Sequence, residues 1–455
     1  MAMECGRLGN LLWDGGSTFD AWLNICSTKI AELLLTIPHS WAQAGLPSAI
    51  VVQFVHLCIG WWSGYTTNLL YLEYKKVAQK RDPHRFDNHT IQLHEVLGGL
   101  MGKWWERVSL FFNIGTLGTI ATVEILASSN IVFYMNDSLD KRTWALIFGG
   151  IFSLSVFTPS AQNYRAWSFL GVIATIYTAF YLIIAGIVHK EIPDVNRPFS
   201  PREFSEYFIP MTNFIALGTE AIPVEIMDAM WKPEEYKLPW LFGMVYTGLV
   251  SLIPTMSLFW RFGDKLLKQA NAIALLPKSI FRDAAVILLL LHQARALEKP
   301  PLIWNVCEQF VVFGIFTLPI YLIFEKLFKV HNSPSFGKRI LVRVPVFLVI
   351  WVAALAFPFF GLSTPISVAL FATWGQHILP CSAYIFTFWK RASEASIVDK
   401  HFCLLRWETI LSINLGIVLW MLFMSGFGLW ANIVAIANQV HQVGLFTKCY
   451  NCKRG

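Results

Sequence analysis

Charge is what this sequence has least of. Only 14% of its 455 residues are Asp, Glu, Lys or Arg, against about 25% in an ordinary soluble protein. That excludes a water-facing globular surface for most of the chain. Basic blocks interleaved with aromatics are also missing, which argues against a nucleic-acid partner. The net charge of +7 lies in loops, where it suits anionic lipid headgroups. Eight cysteines stand at positions 5, 26, 58, 307, 381, 403, 449 and 452. Only Cys449 and Cys452 form a CxxC pair, and with no second pair or paired histidines nearby no metal site is expected. No HExxH, GxSxG or phosphate-cradling glycine loop occurs and the 11 His are scattered, so an enzyme is not expected. The first 20 residues hold no basic stretch followed by an apolar one. No cleaved signal peptide is expected, and insertion falls to the first apolar helix.

What is abundant is apolar and aromatic. Hydrophobic residues make up 55% of the chain, with 19 Trp, 36 Phe and a mean hydropathy of +0.51. A bilayer-spanning helix needs about 20 apolar residues. Eleven candidate runs approach that length: 22–43, 49–72, 108–135, 144–157, 166–188, 207–230, 241–260, 284–328, 342–362, 366–388 and 409–436. The reading is an all-α membrane protein of about eleven transmembrane helices, embedded in the lipid bilayer. Loop charge sets its orientation. Lys75, Lys76, Lys80, Arg81, Arg85, Lys103 and Arg107 follow the second run, and further basic residues follow the eighth and tenth; a loop with Arg261, Lys265, Lys268, Lys278 and Arg282 is the exception. The balance favours a cytoplasmic N-terminus and, with an odd span count, an extracellular C-terminus. Glycosylation of the Asn88 sequon would overturn that topology, whereas the Asn136 sequon would face outward. The amphipathic stretch 91–108, with two Trp, reads as an interfacial helix.

The chain is organised around 213–231, NFIALGTEAIPVEIMDAMW. It is apolar enough to enter a bilayer, yet it holds Glu220, Glu225 and Asp228. Gly218 and Pro223 each weaken helical continuity. A charge at mid-bilayer costs about 2.5–3.5 kcal/mol on insertion scales. A helix that is both charged and broken reads as one lining a cavity; the alternative is a kinked helix whose acids pair within the bundle. The first run is alike in kind. Lys29 and Glu32 stand at i,i+3 spacing and Pro38 follows, so they form either an intrahelical ion pair or a second polar break. The first and sixth runs are corresponding first helices of two five-span halves. Interrupted polar helices at such positions point to a transporter site. In the third run Glu124 adds a carboxyl that either enters that cavity or caps a neighbour.

Several long strings carry a resemblance: WDGGSTFDAW (13–22), LLLTIPHSWAQAG (33–45), NDSLDKRTW (136–144), NYRAWSFLG (163–171), VEIMDAMWKP (224–233), LPKSIFRDAAVILLLLHQ (276–293), FPFFG (357–361) and GLFTKCYNCK (444–453). The chain resembles the plant auxin influx carriers (AUX/LAX type) of the amino acid/auxin permease family, from about Leu11 to its end. The resemblance implies a LeuT-like 5+5 inverted repeat plus one extra helix. A cytoplasmic tail over 1–21, a ten-helix core over 22–388 and an eleventh helix with its tail over 389–455 would follow. It also implies plasma-membrane symport of protons with indole-3-acetic acid, the main auxin, in polar auxin transport and auxin signalling, without a cofactor. That ligand is an anion with a planar apolar ring, so its site should pair a cation or donors with an apolar slot. A titratable group in a poorly solvated cavity would couple it to protons.

This chain departs from that family in its polar positions. Glu220 stands where the family has a His, Lys29 and Glu32 where it has two glutamines, and Glu124 where it has a Gln; Glu225 is kept. The expected substrate site is therefore Lys29, Glu32, Glu124 and Glu220, with Glu220 and Glu225 as proton-coupling candidates. The added carboxyls make an amino-acid/proton symporter the alternative substrate reading, and a non-transporting divergent paralogue the alternative of another class. A second departure is ARALEKPPLIWNVCEQ (294–309) inside the eighth run. Its charges and proline pair cannot continue a lipid-facing helix. It is either a retained short intron or gene-model error kept in frame, or a re-entrant loop that splits the span. Sequencing the mature transcript decides between them.

Overall fold

A computed structural model describes residues 16–30, 32–82, 86, 90–157, 165–189, 194–201, 203–294, 311–331, 333, 335–357, 359–389 and 407–444. Among these residues the chain is helical and contains no strand. Asn88 of the first sequon, Cys449, Cys452 and 295–309 of the inserted stretch lie outside them.

The elements in order are α1 Thr18–Lys29, α2 Leu33–Ala44, α3 Leu46–Arg81, α4 Leu93–Met101, α5 Lys103–Met135, α6 Lys141–Phe152, α7 Arg165–Val188, α8 Phe204–Gly218, α9 Pro223–Ala229, α10 Lys237–Phe262, α11 Ile280–Ala294, α12 Val311–Leu327, α13 Phe336–Ala356, α14 Phe360–Ser367, α15 Leu379–Trp389 and α16 Trp407–Val443. Wider π turns over 368–378 join α14 to α15. Six helices among the described residues are long and apolar enough, by length and composition, to cross a membrane. The other expected spans are interrupted or short, and two interruptions matter most. The first run breaks between Lys29 and Leu33, whereas Pro38 sits inside a continuous α2. The sixth breaks between Gly218 and Pro223, the two residues whose chemistry pointed there. The eighth run appears as α11 and α12 on either side of the inserted stretch.

Caps and buried polar contacts hold the helices together. Ser17 and Asp20 form a reciprocal capping box that starts α1. Trp41 Nε1 donates to Gln53 Oε1 at 2.7 Å, and Gln53 Nε2 donates to Ser251 Oγ at 2.7 Å, so α2, α3 and α10 are joined through buried polar groups that satisfy one another. On another flank Glu325 accepts from Arg343 Nε at 2.7 Å and Arg339 Nε at 3.2 Å, with His331 at 3.1 Å. Arg343 also donates to the Val156 carbonyl at 3.0 Å. This network fastens the end of α12 to α13 and to the turn after α6, with the charge paired inside the bundle.

The stretch read as an interfacial helix packs differently. Gly102, at φ +97°, turns the chain between α4 and α5. Leu93, Val96 and Leu97 are then buried against the protein rather than left for lipid. Asp228 holds the segment before α4, accepting from the Ile91 N–H at 3.0 Å and from Tyr71 OH at 2.9 Å.

Candidate functional site

The two breaks meet. The end of α1 lies against the end of α8, where the last carbonyls of a helix have no partner within it. Lys29 supplies one: its Nζ donates to Thr219 O at 2.7 Å and Leu217 O at 3.3 Å, and lies 4.4 Å from the centroid of the Trp240 ring. Cations at helix C-termini also complement the helix dipole. Of the two readings of Lys29 and Glu32, the intrahelical ion pair does not form, because the helix ends between the two residues and Lys29 turns to α8 instead. Thr28 Oγ1 donates to the Glu220 carboxylate, 3.4 Å from each oxygen.

A cavity of about 70 Å³ opens at this meeting point. Lys29, Glu32, Glu124 and Glu220 all line it, so the structure brings the four expected substrate residues together. Among the described residues Lys29 is the only cation in its wall. Thr364 Oγ1 donates to Glu32 Oε1 at 3.5 Å, whereas Glu32 Oε2 is buried with no hydrogen-bond partner among the described residues. Gln376 Nε2, also in the wall, is a buried donor without a partner among the described residues. An unpaired buried acceptor and donor in one cavity leave places for a polar ligand, since each costs about 1–3 kcal/mol unmet.

Glu225 does not line this cavity. Past the break, it accepts from Gln92 Nε2 at 3.4 Å, beside the segment that leads into α4. Residues not anticipated from the sequence complete the wall: Thr28, Thr219 and Thr364 as hydroxyls, Gln376 as an amide, and Ile120, Val123, Val368 and Phe316 as an apolar side. Gln376 carried a readable signal, an amide beside a histidine inside an otherwise apolar run. The threonines carried none, because hydroxyls within a helix commonly bond their own preceding turn.

Two features flank the cavity. On one end a larger hollow of about 380 Å³ is walled by His39, Gln43, Asn130, Tyr134 and Lys141 among others. On the opposite end the Trp231 N–H donates to Gly16 O at 2.8 Å, and a Cβ on Gly16 would come within 2.5 Å of the Trp231 indole. This latch ties the start of α1 to the end of α9. A Gly16→Val change should displace Trp231 and weaken the hold on the start of α1 by about 1 kcal/mol, raising the population with that end of α1 detached about fivefold. Thiol labelling of the buried Cys26 in α1 measures it; an unchanged labelling rate would show that the contact does not hold α1 in place.

Comparison with known proteins places the chain in a family. The model for the transmembrane amino acid transporter protein family matches residues 14–424. Auxin transporter-like protein 2 of Arabidopsis thaliana is 40% identical over 449 residues, 98% of this chain and 89% of that protein. Auxin transporter-like protein 5 of Medicago truncatula is 40% identical over 98% of this chain and 88% of its own length. Auxin transporter protein 1 of Arabidopsis thaliana is 38% identical over 98% and 89%.

Proposed function

The chain belongs to the transmembrane amino acid transporter family and, within it, to the auxin transporter-like proteins, and on that premise we propose that it is a proton-coupled symporter importing indole-3-acetic acid across the plasma membrane. It is a multi-pass membrane transporter rather than an enzyme. The observation that carries the proposal is the meeting of two broken helices around one buried cavity that holds an ammonium, three carboxyls and an unpaired amide. Broken helices place polar backbone and ionisable side chains at a solute site within the bilayer.

In this reading eleven spans form two inverted five-helix halves and one further helix. The N-terminus is cytoplasmic and the C-terminus extracellular, as the loop charges favour. Import at the plasma membrane then contributes to polar auxin transport and auxin signalling. The anionic ligand meets Lys29 and Gln376, its ring lies on the side of Ile120, Val123 and Phe316, and a proton on one of the carboxyls offsets the charge it brings. A cavity of about 70 Å³ falls below the roughly 300–1,000 Å³ of pockets for drug-sized ligands, so the helices part when a bicyclic ligand enters and close behind it.

Saturable uptake of labelled indole-3-acetic acid, faster in mildly acidic than in neutral medium, tests the proposal in cells expressing the chain with and without residues 294–309. No uptake by either form at normal surface expression would reject it and favour a non-transporting paralogue. The carboxyls around the cavity support a second reading, an amino-acid/proton symporter whose substrate amine they hold; competition by amino acids against indole-3-acetic acid separates the two. Glu220 is the proton-coupling candidate that lines the cavity. Glu220→Gln keeps the shape and removes the titration, so the ratio of acid to neutral uptake should fall towards one. An unchanged ratio would remove Glu220 from that role.

A further inference from the structure

A second polar hollow stands apart from the central cavity. It lies beyond that cavity on the same helices. Leu33, Glu124 and Thr364 line the central cavity, and His39, Asn130 and Phe360 line the hollow farther along α2, α5 and α14. Asn130 lies one and a half turns past Glu124, about 9 Å along the α5 axis. At about 380 Å³ the hollow reaches the size of small-molecule sites, which begin at roughly 300 Å³.

Its wall carries both a cation and unpaired acceptors. Lys141 Nζ lies 5.0 Å from the ring centroids of both Phe133 and Tyr134 and donates to Tyr134 OH at 3.5 Å. Among the described residues it has no carboxylate within ion-pair distance. Two buried amide oxygens of the same wall, Gln43 Oε1 and Asn130 Oδ1, have no hydrogen-bond partner among the described residues, and Asn130 is only 6% exposed. These are acceptors awaiting an N–H. Leu126, Ile209 and Leu267 supply apolar wall. Glu203 and Glu206 also line the hollow, as do the cations Arg142 and Lys268.

We infer that this outer hollow is a second ligand site, which holds a small planar organic anion carrying an N–H before the central cavity receives it. The inference rests on the proposed transport function for the choice of ligand, but it concerns a different set of residues. An ammonium with aromatic neighbours suits a carboxylate, and unpaired amide oxygens suit a ring N–H. Occupancy there raises the local concentration of ligand over the central cavity whenever the helices part.

The test uses the full chain in cells with Val434→Cys, a position in the wall of the hollow. A membrane-impermeant thiol reagent is applied from each side in turn, and labelling is compared with the parent chain. Indole-3-acetic acid should slow labelling of the new cysteine severalfold. Lys141→Gln should raise the concentration needed for protection about tenfold, and Lys141→Arg should keep it low. Indole, which lacks the carboxylate, should protect weakly and show no Lys141 dependence. Protection must persist in the Lys29→Met background when that change has stopped uptake. Protection that disappears together with uptake would mean closure over the central cavity and would overturn the inference, as would no protection or no labelling from either side. Uptake by the otherwise unaltered chain reads the transport proposal separately: uptake without protection leaves that proposal standing and rejects the outer site, and protection without uptake does the reverse.

Discussion

Replacing Lys29 with methionine is expected to lower uptake about a hundredfold at equal surface expression. Methionine keeps much of the apolar stem that packs against Trp240, but it removes the charge and the donors. The carbonyls of Leu217 and Thr219, now bonded at 3.3 and 2.7 Å, lose their partner at the point where α8 breaks. Each unpaired buried carbonyl costs about 1–3 kcal/mol. The cavity also loses the only cation that the described residues give its wall, which leaves the carboxyls of Glu32, Glu124 and Glu220 without it. Breaking a buried charge pairing on one side costs about 3–5 kcal/mol, and about 2.7 kcal/mol suffices for a hundredfold change. Two further variants separate a transport role from a folding role. Lys29→Arg keeps the charge and should retain part of the uptake. The double change Lys29→Met, Glu220→Gln removes the charge from both sides, so it should regain melting temperature lost by the single variant without regaining transport. Uptake within twofold of the parent for Lys29→Met would sink the central role given to this residue.

The same residue shows how far the sequence could be read. A lysine in an apolar run near a glutamate is a polar signal at any level of analysis. Its partner was not legible, because i,i+3 spacing implies an ion pair only while the helix continues. The chain instead breaks after Lys29, and the groups it meets lie 188 and 190 residues away. The sixth run was easier, since Gly218 and Pro223 act on the backbone locally and mark the end and the restart of helix themselves. Local chemistry also foretold that α4 is amphipathic. Whether its apolar face meets lipid or protein depends on the turn at Gly102 and on Asp228, which is distant in sequence. Glu225 and Glu220 looked alike as two acids in one broken helix. Only the break, which re-aims the chain between them, sends one into the cavity and the other towards Gln92.

Gly60→Ala is the smallest substitution expected to disable the whole arrangement. Helices in membranes approach closely where small residues meet, because lipid gives them no hydrophobic reason to associate and contact must supply the energy. Here α3 passes α8 at the residue where α8 ends. A Cβ on Gly60 would stand 2.3 Å from Gly218 O, 2.4 Å from its Cα and 2.7 Å from its carbonyl carbon. All three are backbone atoms, so no rotamer relieves the contact. The reverse substitution fares no better, since a Cβ on Gly218 would stand 2.6 Å from His56 O. Overpacking a close contact costs about 1–3 kcal/mol and sometimes more, and a backbone-to-backbone clash belongs at the upper end. Moving Gly218 also moves Thr219 O and Glu220, so the cavity loses its geometry together with stability. The expected result is a melting temperature lower by about 5 °C or more in detergent, with uptake near background in whatever protein reaches the surface. Gly426→Ala is the matched control, because a Cβ there meets nothing within 4 Å. It replaces an exposed helical glycine and should be neutral or stabilising by up to about 1 kcal/mol. If both alanines behaved alike, the crossing of α3 and α8 would not set the site, and the position of Glu220 would have to come from Lys29 and Thr28 alone.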